Sequence, residues 1–102
     1  MEELIRDNVA LYAAVKTFHS DGHDMWAAVA AMTLLIMPEE CTDDDVKRNF
    51  NLQYQLDIPA DVLKTILSRL RKDGYITRVL PMNTLTKNTN YNTTFALQKE
   101  EM

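Results

Sequence analysis

Apolar positions recur at helical spacing through most of the first 73 residues and at strand spacing after them. Over residues 2 to 19, Leu4, Leu11, Val15 and Phe18 fall on one stripe, and Ile5, Val9 and Tyr12 form a second beside it. The pattern predicts one helix with a wide apolar face, able to touch its own core on one side and another chain on the other. "HSDGHD" breaks it, with Gly22 as terminator. Asp24 is a good N-cap for a second helix over residues 25 to 36, which Pro38 stops. That helix is apolar nearly all round, so it is expected at the centre of the core or shared with a partner.

"CTDDDVKRNF" opens a third helix. Thr42 caps it, Asp45 completes a capping box, and Asp43, Asp44 and Asp45 suit the positive end of the helix dipole. The helix is expected to fray through "NLQYQL". The clearest amphipathic segment follows, over residues 59 to 73. Pro59 marks its start, near a position where a missing N–H costs nothing. Val62, Leu63, Ile66, Leu67 and Leu70 make one continuous apolar face, basic residues gather toward the carboxyl end, and Gly74 closes it. "YITRVL" then reads as a strand at 75 to 80, and "TTFALQ" as its returning partner at 93 to 98. The polar "PMNTLTKNTNYN" between them reads as a long hairpin tip. A lone hairpin is not stable, so it must lie against the helices. The core predicted from these faces is Trp26, Val29, Leu34, Val62, Leu63, Ile66, Leu67, Leu70, Ile76 and Phe95.

Composition fits this picture. The 102 residues suit a single domain, and 46% hydrophobic with 25% charged residues is ordinary for a globular chain. The longest apolar run, residues 25 to 37, is well short of the ~20 residues a membrane span needs, so a buried helix and no membrane partner are expected. The acidic, amphipathic start "MEELIRDNVA" does not read as a secretory signal, which strips the sequon at Asn92 of meaning. One cysteine, Cys41, excludes an internal disulfide and fits a reducing compartment, so a cytoplasmic location is expected.

Candidate chemistry is thin. His19 and His23 are four apart, but Gly22 lies between them and a lone cysteine offers little help, so neither metal nor other cofactor is expected. Cys41 lies among carboxylates, which do not activate a thiol. No nucleophile–base pair, phosphate-binding glycine loop or paired carboxylate stands out, and the chain does not read as an enzyme.

Charge changes the picture more. The net charge is −4, yet residues 1 to 45 balance at −8 and residues 46 to 102 at +4. An acidic packing half joined to a mildly basic contact half has this asymmetry.

The stretch "VLKTILSRLRKDGYI", followed by "TRVL" and "TFALQ", resembles the end of a winged-helix domain. There an ending of the kind L-x-x-L-x-x-x-G-Y-I joins the recognition helix to the wing, met here by Leu67, Leu70, Gly74, Tyr75 and Ile76. The resemblance covers residues 24 to 99 and leaves residues 1 to 23 as an added amino-terminal helix. It implies one α+β, mostly helical domain, with a three-helix core and a β-hairpin wing. It also implies a non-enzymatic module that binds duplex DNA, of the transcriptional-regulator or DNA-targeting kind. On that reading Lys64, Thr65, Ser68 and Lys72 on the polar face, with Arg69 and Arg71 on its flanks, meet phosphates and base edges. Arg78 and Lys87 add contacts from the wing, and Asn83, Asn88, Asn90 and Asn92 suit a minor groove.

A second reading stands beside it. The pI of about 5.0 is far below the ~9 of strongly basic nucleic-acid domains, and solvated basic residues are common on amphipathic helices. The same fold also serves as a protein-interaction module. The first helix, through Leu4, Leu11, Val15 and Phe18, is then the expected homodimer interface, with help from residues 25 to 36. An apolar excess of this kind also suits the amino-terminal module of a longer protein.

Overall fold

The computed structural model describes residues 2–18 and 25–88. It is α+β and mostly helical, with a small three-stranded antiparallel sheet. Two short helices, α1 (Glu2–Asp7) and α2 (Val9–Phe18), precede α3 (Met25–Ile36), β1 (Glu40–Cys41), α4 (Asp43–Tyr54), α5 (Ala60–Lys72), β2 (Ile76–Val79) and β3 (Thr84–Lys87). The sheet order is β1-β3-β2.

The expected single helix over residues 2 to 19 is broken at Asn8. Asn8 acts as a cap: its Oδ1 accepts from the Leu11 N–H at 3.0 Å and its carbonyl from the Tyr12 N–H at 2.9 Å. The break splits the second stripe, so Ile5 is fully buried while Val9 lies in solvent. The first stripe turns inward. Leu11 and Val15 are fully buried in the chain's own core and Leu4 packs against that core. The Phe18 side chain, like His19, His23 and Asp24, lies outside what the structure describes.

Helix α3 is the central helix. Met25 and every residue from Ala28 to Leu34 are buried, and Thr33 satisfies its hydroxyl on the Val29 carbonyl at 2.7 Å. The capping box of α4 forms: Thr42 Oγ1 accepts from the Asp45 N–H at 3.1 Å, and Asp45 Oδ2 from the Thr42 N–H at 3.0 Å. The helix does not fray through "NLQYQL". It runs to Tyr54 and ends at Gln55, whose left-handed φ of 54° lets Leu56 N–H reach the Phe50 carbonyl at 3.3 Å. Helix α5 lies within the expected 59 to 73, with Pro59 at its cap and Gly74 (φ 86°) turning the chain into β2.

The hairpin is tighter than the sequence pattern suggests. The partner of β2 is Thr84–Lys87, inside the stretch read as a polar tip, and a four-residue turn (residues 80–83) joins the strands. The expected strand at 93 to 98, with Phe95, lies outside the described residues. Strand β1, not foreseen from the sequence, pairs Cys41 with Leu85 on the other edge of β3. Val29, Leu34, Val62, Leu63, Ile66, Leu67, Leu70 and Ile76 are buried as expected, but Trp26 is only half-buried. Phe50, Val46, Ile58 and Leu85 complete the core.

Candidate nucleic-acid interface

Helix α5 divides its surface cleanly. Its apolar stripe is buried, while Lys64, Thr65, Ser68, Arg71 and Lys72 are exposed, and no other described element covers them. Basic side chains in the last turn sit at the negative end of the helix dipole, which favours them there. Lys64, Arg71 and Lys72 pair with no carboxylate among the described residues. The Thr65 hydroxyl donates to its own helix, at the Asp61 carbonyl (3.0 Å), a bond it can exchange for an outside acceptor.

The two flanks of this face have different fates. On one side, Arg69 is half-buried against α3. Its guanidinium stacks 5.1 Å from the centre of the Trp26 ring, and its Nε donates to Asp73 Oδ2 at 3.2 Å. Trp26 Nε1 donates to the same oxygen at 3.1 Å. Arg69 therefore fastens α5 to α3 instead of reaching outward. On the other side, Lys64, Ser68 and Arg71 line a cleft of about 450 Å³, with the amino end of α4 (Asp43, Asp44) and the hairpin (Arg78, Asn83) as its other walls. Leu63, Leu67 and Leu85 also line it.

Arg78 and Lys87 are held within the fold for a common reason. Cross-strand partners share a face, and alternate residues of a strand share a face. Arg78 pairs with buried Leu85 and Lys87 with buried Ile76, so both cations start on the core side of the sheet. Arg78 grips both carboxylate oxygens of Asp43 (3.3 and 3.4 Å) and Asn83 Oδ1 (2.9 Å). Its side chain is only 23% exposed. Lys87 Nζ donates to the Leu34 carbonyl at 3.3 Å. Lys87 is thus not at a wing tip but in the middle strand. Asn88 is also structural: its amide donates to the Gly74 carbonyl at 2.7 Å and its Oδ1 accepts from Thr77 at 2.9 Å. Asn90 and Asn92 lie outside the described residues.

Three carboxylates in the first turn of α4 matter for the electrostatics. Backbone donation from Thr42, helped by its hydroxyl and by Arg48, holds Asp45 below the usual carboxylate range. Asp43 is engaged by Arg78, which leaves Asp44 as the exposed negative charge on the cleft wall. Behind this wall, burial pushes the Cys41 thiol up to about 11, and the Asp45 and Asp43 charges add to the effect. Among the described residues, no group of three or more acidic, histidine or cysteine side chains is placed to hold a metal ion, and no helix is long and apolar enough to cross a membrane.

No family model, curated protein or solved structure matches the chain.

Proposed function

We propose that this chain is a winged-helix module that binds duplex DNA, with α5 as the recognition helix and the β2–β3 hairpin as the wing. The fold reading is supported by the element order after the added helices. A helix, a two-residue strand, two helices and a hairpin follow one another, and the short strand closes on the far side of the returning hairpin strand. The functional reading is carried by one observation: the uncovered polar face of α5, with Lys64, Arg71 and Lys72 unpaired among the described residues and Thr65 and Ser68 between them. A helix entering a major groove needs such a face, with cations for phosphate and short polar groups for base edges. Three free cations imply modest affinity, dominated by phosphate contacts.

Binding measured by fluorescence anisotropy with a mixed-sequence duplex, at low and moderate salt, tests this. Three phosphate contacts give a log–log salt slope of roughly −2.7, at about −0.9 per contact. No binding at low salt up to ~100 μM, within the usual non-specific range, ends the DNA reading. One observation favours the rival reading, a module whose same face meets a protein: Asp44 stands exposed beside Lys64 and Arg71 on the cleft, where it repels phosphate.

A further inference from the structure

The hairpin turn carries the least expected surface of the molecule. Leu80 and Met82 are 73% and 67% exposed, on either side of an exposed Pro81, in a turn that runs from Val79 to the polar Asn83 and Thr84. We propose that this tip is an apolar wedge that enters the minor groove and partly unstacks a base step, so that bound DNA is kinked. The proposal rests on the DNA reading of α5 and adds to it a second, non-ionic mode of contact.

Three observations carry it. The tip has the right chemistry, since leucine, methionine and proline are side chains that insert between base steps from the minor groove. It is braced. Arg78 ties the far side of the turn at Asn83 and anchors the near strand to Asp43 at the start of α4, so the tip moves with the helical body. A wedge must be braced in this way, because a limp loop would fold aside before it opened a stack. Its neighbourhood is cationic on balance: the cleft that Asn83 helps to line carries Lys47, Lys64, Arg71 and Arg78 against Asp43 and Asp44, so the surface that attracts the duplex brings the tip to it. A protein partner fits the tip less well. Two side chains and a proline present far less than the ~800 Å² per partner of a stable interface.

The test compares the unmodified chain with Leu80→Ser/Met82→Ser, on short duplexes labelled at both ends for energy transfer and carrying 2-aminopurine at a central TA step. Both altered side chains are exposed, so thermal melts of the two proteins should coincide and serve as the folding control. The unmodified chain is expected to shorten the end-to-end distance and to raise 2-aminopurine fluorescence. It should also prefer the TA duplex over a stiff A-tract, because pyrimidine–purine steps kink easily. The double variant should lose all three effects and keep the salt slope, which the cations of α5 set. Binding with a steep salt slope but without bending or unstacking, or with both retained in the variant, overturns the wedge and leaves the DNA reading standing. Absence of any salt-sensitive binding removes both.

Discussion

At the scale of single residues, location on a basic stretch does not decide whether a cation is available. Arg69 and Arg71 are two positions apart, yet one is stacked on Trp26 and bonded to Asp73 while the other lines an open cleft. Arg71→Ala is therefore expected to flatten the salt slope by about 0.9, one phosphate contact. Arg69→Ala should leave the slope alone, shift Trp26 emission, and lower stability by ~0.5–1 kcal/mol, the scale of an exposed cation–π contact. Titrations at several salt concentrations and denaturant melts separate the two. The inward turn of Arg78 and Lys87 was partly legible in the sequence: once Ile76 is assigned to the core, Arg78, two residues on, must share its face. The partner of Lys87 was not legible, because it depends on which strand pairs with β2. Cys41 offers a separate check. Burial holds its thiol neutral in the fold, up to about 11 against 9.0 for a free thiol, so alkylation at pH 8 should follow unfolding and not solvent exposure. Because the folded-state value is raised, the contribution of this group to stability is complete below pH 9.0 and is lost as pH rises toward about 11.

At the scale of elements, the segments with strong local signals were readable and those with weak ones were not. Helix α5 has a five-residue apolar stripe and a glycine stop, and α4 has its capping box; α5 and the start of α4 lie where the pattern put them. The first helix misled because two adjacent stripes look like one broad face, whereas Asn8 cuts the helix and sends Ile5 and Val9 to opposite environments. The hairpin misled because β3 buries one apolar residue, Leu85, among threonines, whose β-branching supports a strand without marking a core face. The polar run therefore resembled a turn. The ends of α4 give the sharpest test at this scale. Thr42→Ala removes the side-chain half of the capping box and should cost ~1 kcal/mol. Gln55→Gly should act in the opposite direction, since a non-glycine residue at φ 54° is strained where glycine is not. A gain of up to ~1 kcal/mol is expected, reduced by the greater freedom of glycine in the unfolded chain. Paired chemical denaturation curves should move apart in opposite senses from the parent.

At the scale of the whole molecule, the opposing charges of the two halves meet along the cleft. The −8 of residues 1 to 45 does not all lie behind the contact face, because Asp43 and Asp44 form one wall of the cleft whose other wall is α5. No local pattern announces this, since Asp43, Asp44 and Asp45 are explained by the helix start alone and their distance from Lys64 is set by how α4 packs on α5. Asp43 is neutralised by Arg78 and serves the hairpin, but Asp44 is exposed and bound to no cation among the described residues. It therefore decides between the two readings of the surface. If α5 enters a groove, Asp44 lies close to phosphate, and Asp44→Asn removes a repulsion worth roughly 0.4–1 kcal/mol at about 4–10 Å in a water-like dielectric. Affinity for duplex DNA should then rise about two- to five-fold at low salt, with the gain fading as salt screens it. The helix start retains Asp43 and the capping box, so stability should change little. If the face instead meets a protein, Lys64 and Arg71 with Asp44 opposite form a mixed-charge recognition surface, and the same substitution weakens that contact while leaving any feeble DNA binding unimproved. Anisotropy titrations of the parent and Asp44→Asn proteins at matched low salt give the answer by the sign of the change.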